Sequence, residues 1–401
     1  MVEVAPLDMR NAAFRENPYP ALARLRELDP VHRDAFGLLL VTRHEDVVAM
    51  NRDRRLGRDL RKWMGYEMIR PYLADTALER CVEQWMFSLD PPEHTRLRKL
   101  VQAAFRPKTV SLMADVIATI ADELLDEFPS DGDVELMAAY ARPLPVRVIG
   151  RILSIPPADD ARLREWSDKL AVVVEPTARR REKQTADTIV QELSQYLDAL
   201  ISAHTPRDEG DLLGDLIRAE EDGDRLGRSE LIANLVLLLV AGHETTTNLI
   251  GNGALALMRH PEQLRRLRET PDLMASAIEE MLRYEVSANT NARVVHEDIV
   301  LRGTRIEAGQ MLLCMLGAAN RDPAVFERPD DFDVARDPNP HVSFGGGVHY
   351  CVGAPLARLE AQIAFERLLQ RFPKITLRNP NPPWRDTINL RGLAELTLRA
   401  Q

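Results

Sequence analysis

Apolar residues recur every three or four positions along most of the chain, a spacing that predicts amphipathic helices. Helices are predicted over the ranges 19–28, 44–51, 91–105, 109–128, 139–153, 158–174, 180–204, 209–219, 229–260, 271–284 and 353–372. Shorter apolar stretches bounded by turn residues predict strands at 31–34, 37–42, 292–295, 299–301, 304–306 and 311–315. The stretches 55–88 and 321–343 show no period and are expected to be irregular. The chain is therefore predicted to be mainly α with small β-sheets.

Two of the predicted helices begin with specific capping signals. Asp90 can cap the helix that follows it, Pro91 suits a first helical position, and Glu93 completes a capping-box pattern. Ser229 is expected to cap the longest helix.

The composition excludes several classes of protein. The 401 residues are 45% hydrophobic and 28% charged, which is too apolar for a disordered chain. Asp and Glu total 62 against 52 for Lys and Arg, a formal net charge of −10. Because a general nucleic-acid binder needs a basic surface to displace counterions, no nucleic-acid partner is expected.

The cysteines and the apolar runs bear on location. Cys81, Cys314 and Cys351 form no CxxC pair, which disfavours a structural zinc site and fits a reducing cytoplasm. The N-terminus has no basic segment followed by an apolar one, as a signal peptide would have. The longest apolar run, 235–242, is well short of the roughly 20 residues that cross a bilayer. A cytoplasmic protein without a membrane anchor is predicted.

The most informative stretch runs from Phe344 to Gly353 and reads Phe-Gly-Gly-Gly-Val-His-Tyr-Cys-Val-Gly. Successive glycines let the backbone approach a flat group closely. Cys351 precedes a predicted helix, whose free N–H groups favour a thiolate. The alternative is a small buried cysteine in a glycine-rich turn. The combination of Phe344, Gly347, Cys351 and Gly353 is too restrictive for that interpretation to be favoured.

A second motif, Ala-Gly-His-Glu-Thr, lies at 241–245 in the middle of the longest predicted helix. A glycine weakens the helix, and Thr245 can bond back to a carbonyl and bend it. Burying Glu244 costs free energy, so a role is expected, although a satisfied polar patch on a core helix is the alternative. A zinc-peptidase motif would need a second histidine at position 247, which is Thr247.

Two further pairs have helical spacing. Glu280 and Arg283 share one helical face, as do His94 and Arg98. Alone, each pair is more simply explained by a solvated ion pair or a solvated basic face.

These four motifs, taken in their order along the chain, resemble those of the cytochrome P450 family. The resemblance covers essentially the whole chain and implies the P450 fold, with haem b between the long central helix and the helix after the cysteine loop. It implies that Cys351 is the iron ligand, that Glu244 and Thr245 deliver protons to dioxygen, and that Glu280, Arg283 and Arg336 form a structural ion network. Residues implied to hold the haem are His94, Arg98, Ala241, Arg293, Phe344, Gly345, His349, Cys351 and Gly353.

The resemblance also implies an activity and partners. A haem-thiolate monooxygenase is expected to insert one oxygen atom from O2 into a medium or large, mostly apolar small molecule, by hydroxylation or epoxidation, in secondary metabolism. Electrons are expected from a ferredoxin and its reductase, which would dock on a basic patch of Arg96, Arg98, Lys99, Arg106, Lys108 and Arg358. Residues expected to contact the substrate are Leu237, Val240, Ala241, Val286, Asn289 and Ile388; Asn289 and Asn291 would make that wall polar.

Some alternatives remain open from the sequence. One is a peroxide-driven haem-thiolate oxidase, and another is a non-catalytic haem protein that senses a ligand. Length alone suggests two or three domains, since single cores stop growing near ~250–300 residues. Because the motifs are spread from His94 to Cys351 and converge on one haem, a single domain over residues 1–401 is predicted.

Overall fold

The computed structural model describes residues 7–70, 76–175, 178–205, 211–221 and 227–400. They group into two compact units, each assembled from separate stretches of chain. The first unit comprises Met1–Tyr66, Asn248–Cys351 and Lys374–Ala400, and the second comprises Glu67–Thr247 and Val352–Pro373. The prediction of a single domain stays a prediction.

Helices account for most of the regular structure. In chain order they are α1 (Ala12–Glu16), α2 (Tyr19–Leu28), α3 (His44–Arg52), α4 (Tyr66–Ile69), α5 (Ala77–Val82), α6 (Glu93–Ala104), α7 (Pro107–Ser111), α8 (Ala114–Asp126), α9 (Pro143–Ile152), α10 (Asp160–Leu170), α11 (Arg180–Ala203), α12 (Leu212–Glu221), α13 (Arg228–Arg259), α14 (Pro261–Glu269), α15 (Met274–Tyr284), α16 (Leu316–Ala319) and α17 (Ala354–Arg371).

The strands are short. They are β1 (Val31–Arg33), β2 (Leu39–Val41), β3 (Leu56–Gly57), β4 (Gly132–Glu135), β5 (Thr290–Val295), β6 (Ile299–Leu301), β7 (Thr304–Ile306), β8 (Met311–Met315), β9 (Ile375–Leu377) and β10 (Thr397–Ala400). The prediction of a mainly α chain with small sheets is confirmed.

The first unit is built around a five-stranded sheet in the order β1-β2-β8-β5-β3. β2 and β8 run parallel, and the other neighbours are antiparallel, with Asn291 of β5 opposite Cys314 of β8. Alternate residues of a strand point to opposite faces. The resulting apolar face joins Leu39, Val41 and Leu312 in a buried core. This sheet gives the unit a rigid base for the residues of β5.

In the second unit, helices pack on one another through their apolar stripes. Ile117, Ile120 and Leu124 are buried on one face of α8, which packs against α17 and α9. The hydroxyl of the buried Tyr140 donates to the carbonyl of Ala364 in α17, at 2.9 Å. The helix that begins three residues after Cys351 is thereby held by packing along its length.

Several predicted boundaries were wrong for local reasons. The range 109–128 holds two helices, α7 and α8, and 55–88 contains α4 and α5. Residues 71–75 and 209–210 of the predicted segments lie outside the described residues. Ser229 lies inside α13, and its hydroxyl donates to Gln84 instead of capping the helix.

The capping role predicted for Asp90 was also wrong. The helix begins at Glu93, with Pro92 at the N-cap position. A residue before proline is disfavoured in the helical conformation. The Pro91-Pro92 pair therefore pushes the start of the helix two residues along the chain. Among the described residues, no helix combines the length and apolar character needed to cross a membrane.

Glu360 of α17 is buried, 2% exposed, and its Oε2 has no hydrogen-bond partner among the residues that the structure describes. Burial raises the pKa of this carboxyl well above its usual value, since desolvation disfavours the charged form. A raised pKa in the folded state means that ionisation opposes folding. The stability that the protonated Glu360 side chain contributes is fully present below its unfolded-state pKa. It is lost as pH rises towards its folded-state pKa.

We therefore predict that Glu360→Gln stabilises the protein at pH 8 but not near pH 4. The stability of the wild type relative to the variant should fall by up to about 1.4 kcal/mol per pH unit over the interval between the two pKa values. Urea unfolding at several pH values measures this. Glu366→Gln, an exposed position on the same helix, is the control and should show little pH-dependent difference; equal pH profiles for both variants would contradict the assignment.

Candidate functional site

The segment before α17 forms a tight loop that presents a thiol. Gly345 and Gly347 have φ values of +70° and +65°, which L side chains rarely adopt. A Cβ on Gly347 would lie 2.1 Å from the carbonyl oxygen of Asn51. The loop closes through the Cys351 N–H, which donates to the Phe344 carbonyl at 3.0 Å. Glycine is therefore required at Gly347 both by the backbone conformation and by its close neighbour.

The three cysteines have different environments. Cys81 and Cys314 are buried, and burial raises the pKa of each thiol to about 11. Cys351 is exposed, and α17 begins three residues later. Because the thiolate is the form that binds metals, Cys351 is the cysteine best suited to be a ligand.

The structure brings Glu280, Arg283 and Arg336 together in one buried ion network in the first unit. Both nitrogens of one edge of Arg283 donate to the Glu280 carboxylate, at 2.7 and 2.8 Å, and both side chains are fully buried. Arg336 Nε donates to both oxygens of the same carboxylate at 3.1 Å. The backbone N–H of Asp333 adds a further bond at 2.9 Å. The burial cost of these charges is offset because every oxygen of the carboxylate has charged donors.

This network connects to the start of the cysteine loop through Asn320. Arg283 donates to the Asn320 carbonyl at 2.9 Å. The Asn320 side chain accepts from the Val342 N–H at 2.8 Å and donates to the Ser343 hydroxyl at 2.7 Å. The ion network therefore holds the residues directly before Phe344.

A cluster of amides and guanidinium groups lies beside the glycines of the loop. Arg58 and Arg293 both donate to the Asn291 side-chain oxygen, at 2.8 and 2.6 Å. Asn291 donates to Asn51 at 2.8 Å, and Arg293 donates to the same Asn51 oxygen at 2.8 Å. A Cβ on Gly345 would lie 3.1 Å from the Asn291 amide nitrogen. Two cations thus converge next to the loop, and sequence reasoning identified only Arg293.

The other predicted haem-binding residues are divided between the units. His349 is half-buried in the first unit, close in sequence to Cys351. In the second unit, His94 is 2% exposed and Arg98 is half-buried, one turn apart on α6. Gly353, at the N-cap position of α17, also belongs to the second unit.

The middle of α13 has one accessible face on an otherwise buried helix. Ala241 is exposed and Thr245 is partly exposed, whereas Leu237, Val240 and Glu244 are buried. Residues four apart lie on the same face of a helix. The Thr245 hydroxyl donates to the Ala241 carbonyl at 2.9 Å, as the sequence predicted. The face of α13 that a ligand can reach is therefore marked by Ala241 and Thr245.

Beside that face, Glu244 is next to a histidine. His243 Nε2 lies 3.2 Å from Glu244 Oε2, and the two side chains are 1% and 5% exposed. His243 Nδ1 lies 2.6 Å from the Ser167 hydroxyl of α10. Sequence reasoning did not identify Ser167, since a lone serine on a predicted helix carries no signal.

The predicted substrate wall is more internally bonded than expected. Asn289 donates its side-chain N–H to the Ile388 carbonyl at 2.7 Å. Val286 is buried and lies 3.3 Å from the position of a Cβ on Gly317. The side-chain amides of Asn289 and Asn291 thus bond to protein groups. Their presence alone therefore does not make a polar substrate necessary.

We predict that Glu280→Ala destabilises the fold by about 3–5 kcal/mol, because it leaves buried guanidinium groups without their carboxylate. Glu279→Ala is the matched control on the same helix, since that carboxylate is 29% exposed and pairs with His341 at 3.0 Å. Its loss should cost about 1 kcal/mol or less. Urea unfolding measures both, and equal losses would contradict the central place of Glu280.

Comparison with known proteins identifies the family of this site. Residues 166–390 match the cytochrome P450 family model. The chain is 39% identical over 393 residues to the polyketide biosynthesis cytochrome P450 PksS of Bacillus subtilis, covering 96% of both chains. It is 39% identical to the vitamin D(3) 25-hydroxylase of Pseudonocardia autotrophica, covering 97% of this chain and 95% of the relative. The crystal structure of CalO2 superposes with a TM-score of 0.92 at 33% identity, covering 99% of both chains.

Three features occur together in this chain: an exposed thiol shortly before a helix, a buried Glu-Arg-Arg network bonded to the residues before the cysteine loop, and an Ala-Gly-His-Glu-Thr segment with one accessible face. The relatives match the chain along nearly its whole length. The chain belongs to the cytochrome P450 family, whose members are haem b-containing monooxygenases.

Proposed function

We propose that this cytochrome P450 inserts one oxygen atom from O2 into a medium or large, mostly apolar small molecule. The observation that carries the proposal is the exposed Cys351 in a glycine loop held by the Glu280 network, in a chain that also presents Thr245 on the accessible face of α13. The relatives support the substrate class through their names, which refer to polyketide biosynthesis and to vitamin D(3).

The residues fit a haem. Cys351 would ligate the iron, and Phe344, Gly345, Gly353 and Ala241 would contact the ring. Arg293 donates to the neutral amide oxygen of Asn291 at 2.6 Å, so its positive charge can pair with a haem carboxylate. His349, His94 and Arg98 would also bind the haem carboxylates. A bound haem with a thiolate ligand supplies the oxidation chemistry.

The protein's own contribution would be proton supply and exclusion of water. The Thr245 hydroxyl uses its proton on the Ala241 carbonyl, so its oxygen is available to accept a hydrogen bond from water. Glu244 is the ionisable group beside it and would exchange protons with that water. Leu237, Val240, Val286, Asn289 and Ile388 would line the substrate.

We predict that the reduced protein under carbon monoxide gives the Soret band of a thiolate-ligated haem, and that Cys351→Ala abolishes this band. The physical reason is that only Cys351 is an accessible thiol, whereas Cys81 and Cys314 are buried. Cys81→Ala and Cys314→Ala are the controls and should retain the band. A haem-loaded Cys351→Ala protein with an unchanged band would overturn the proposal.

The alternatives differ in the source of oxidant. A peroxide-driven oxidase would turn over with hydrogen peroxide as fast as with NADPH, ferredoxin and ferredoxin reductase. A haem sensor would form no product with either. Compounds that shift the spin state of the iron provide the substrates for this comparison.

We further propose that electrons come from a ferredoxin that docks on a basic patch of the second unit. Lys99, Arg106 and Lys108 are exposed there, and α7, which carries Lys108, packs on α17, which carries Arg358. Arg96 contributes less than the sequence suggested, since it pairs with Glu230 at 2.5 Å. The patch is therefore centred on α7 and the adjacent end of α6.

We predict that Lys108→Glu slows reduction by a ferredoxin on the order of threefold or more at low salt, and that raised ionic strength removes the difference. Lys374→Glu changes the net charge equally at an exposed position of the first unit and is the control. Stopped-flow reduction under carbon monoxide measures both. Equal slowing by the two variants, or indifference to salt, would place the docking surface elsewhere.

A further inference from the structure

Outside the Glu-Thr pair, His243 lies beside Glu244 and Ser167 lies beside His243, all in the second unit. Ser167 of α10 and His243 of α13 are buried, 0% and 1% exposed. The Ser167 oxygen lies 2.6 Å from His243 Nδ1, and His243 Nε2 lies 3.2 Å from Glu244 Oε2. The three groups thus form a row of serine, histidine and carboxylate that ends at the proposed proton donor.

The position of the protons follows from the partners of Ser167. Within the described part of the chain, its hydroxyl has one hydrogen-bond partner, His243 Nδ1. A buried hydroxyl that does not donate costs free energy. The hydroxyl proton is therefore directed at Nδ1, which must then accept it.

The carbonyl of Leu239 competes for Nδ1, at 3.1 Å. This carbonyl is four residues before His243 in α13, where it already accepts the backbone N–H of the helix ladder. A proton on Nδ1 would add a second bond there but would leave the Ser167 hydroxyl without an acceptor. The shorter distance and the hydroxyl both favour an unprotonated Nδ1.

We infer that Ser167 holds His243 as the neutral tautomer with its proton on Nε2, the nitrogen that lies 3.2 Å from Glu244 Oε2 in a close contact rather than an aligned hydrogen bond. A neutral imidazole has one donor nitrogen and one acceptor nitrogen, so the hydrogen bond at one nitrogen decides the other. A proton on Nε2 places positive partial charge beside Glu244 Oε2, which favours the ionised carboxylate. Ser167 and His243 are thus positioning residues for the proton donor, and α10 is linked to it through one hydrogen bond.

The neighbouring elements bring one apolar contact to α13 and two ion pairs to α10. Gly242 faces Ile149 of α9, with its Cβ position 3.6 Å from the isoleucine methyl. On α10, Lys169 pairs with Glu165, and Asp160 pairs with Arg151 of α9. These ion pairs lie on exposed or partly exposed side chains, whereas Ser167 and His243 are fully buried.

Imidazole 15N NMR of the reduced, carbon monoxide-bound protein tests the tautomer directly. His243 is assigned by the signal that disappears in His243→Phe. We expect an unprotonated Nδ1 and a protonated Nε2 in the wild type. Ser167→Thr keeps the hydroxyl and should retain this pattern, whereas Ser167→Ala should shift the proton towards Nδ1, where the Leu239 carbonyl accepts it. A protonated Nδ1 in the wild type, or an unchanged pattern in Ser167→Ala, would overturn the inference.

A second measurement tests the consequence for proton delivery, which rests on the proposed function. With a compound that shifts the spin state, we expect Ser167→Ala to lower product formed per NADPH by roughly tenfold, the factor that corresponds to the loss of one buried hydrogen bond. Ser167→Thr should stay near the wild type. If the NMR pattern holds but this ratio is equal in both variants, the row does not position the proton donor. The NMR result is independent of turnover, so failure of the proposed activity would be recognised separately.

Discussion

The buried carboxylate of Glu280 is the interaction on which the cysteine side of the structure depends. Arg283 and Arg336 both donate to it, and the remaining donors of Arg283 bind the carbonyls of Asn320, Pro329 and Asp331. One ion network therefore organises an irregular stretch that has no helix or strand of its own. Because the guanidinium groups have a fixed planar geometry, these bonds restrict the conformation of the stretch.

Hydrogen bonds connect this network to the loop that carries the proposed iron ligand. The Asn320 side chain bonds to Val342 and Ser343. The glycines that follow turn the chain, and Cys351 is exposed before α17. A thiol on a mobile loop would lose entropy on each binding event, whereas a preorganised thiol does not. Such an arrangement is suited to holding a cofactor permanently.

The two units carry different parts of the proposed chemistry. The first contains Cys351 and the cations around Arg293, and the second contains Glu244, Thr245 and the row that ends in Ser167. The side chains next to Glu244 are held by helix packing, since α10 and α13 bring Ser167 and His243 together although they are 76 positions apart in sequence. Groups that deliver protons need fixed geometry, and buried helices supply it.

The sequence by itself determined the helical class, most strands, Cys351 and the spacing that unites Glu280 with Arg283, because periodicity and short-range motifs are local properties. It did not determine that one helix starts only after Pro92, or that Ser229 lies within α13 rather than at its cap. Nor did it determine that Arg58, Asn51 and Ser167 join the site. Those residues carry no local signal, and their roles arise from contacts over tens to hundreds of positions. Only the tertiary structure decides such contacts, because they depend on how buried surfaces pack and on which donors find acceptors once water is excluded.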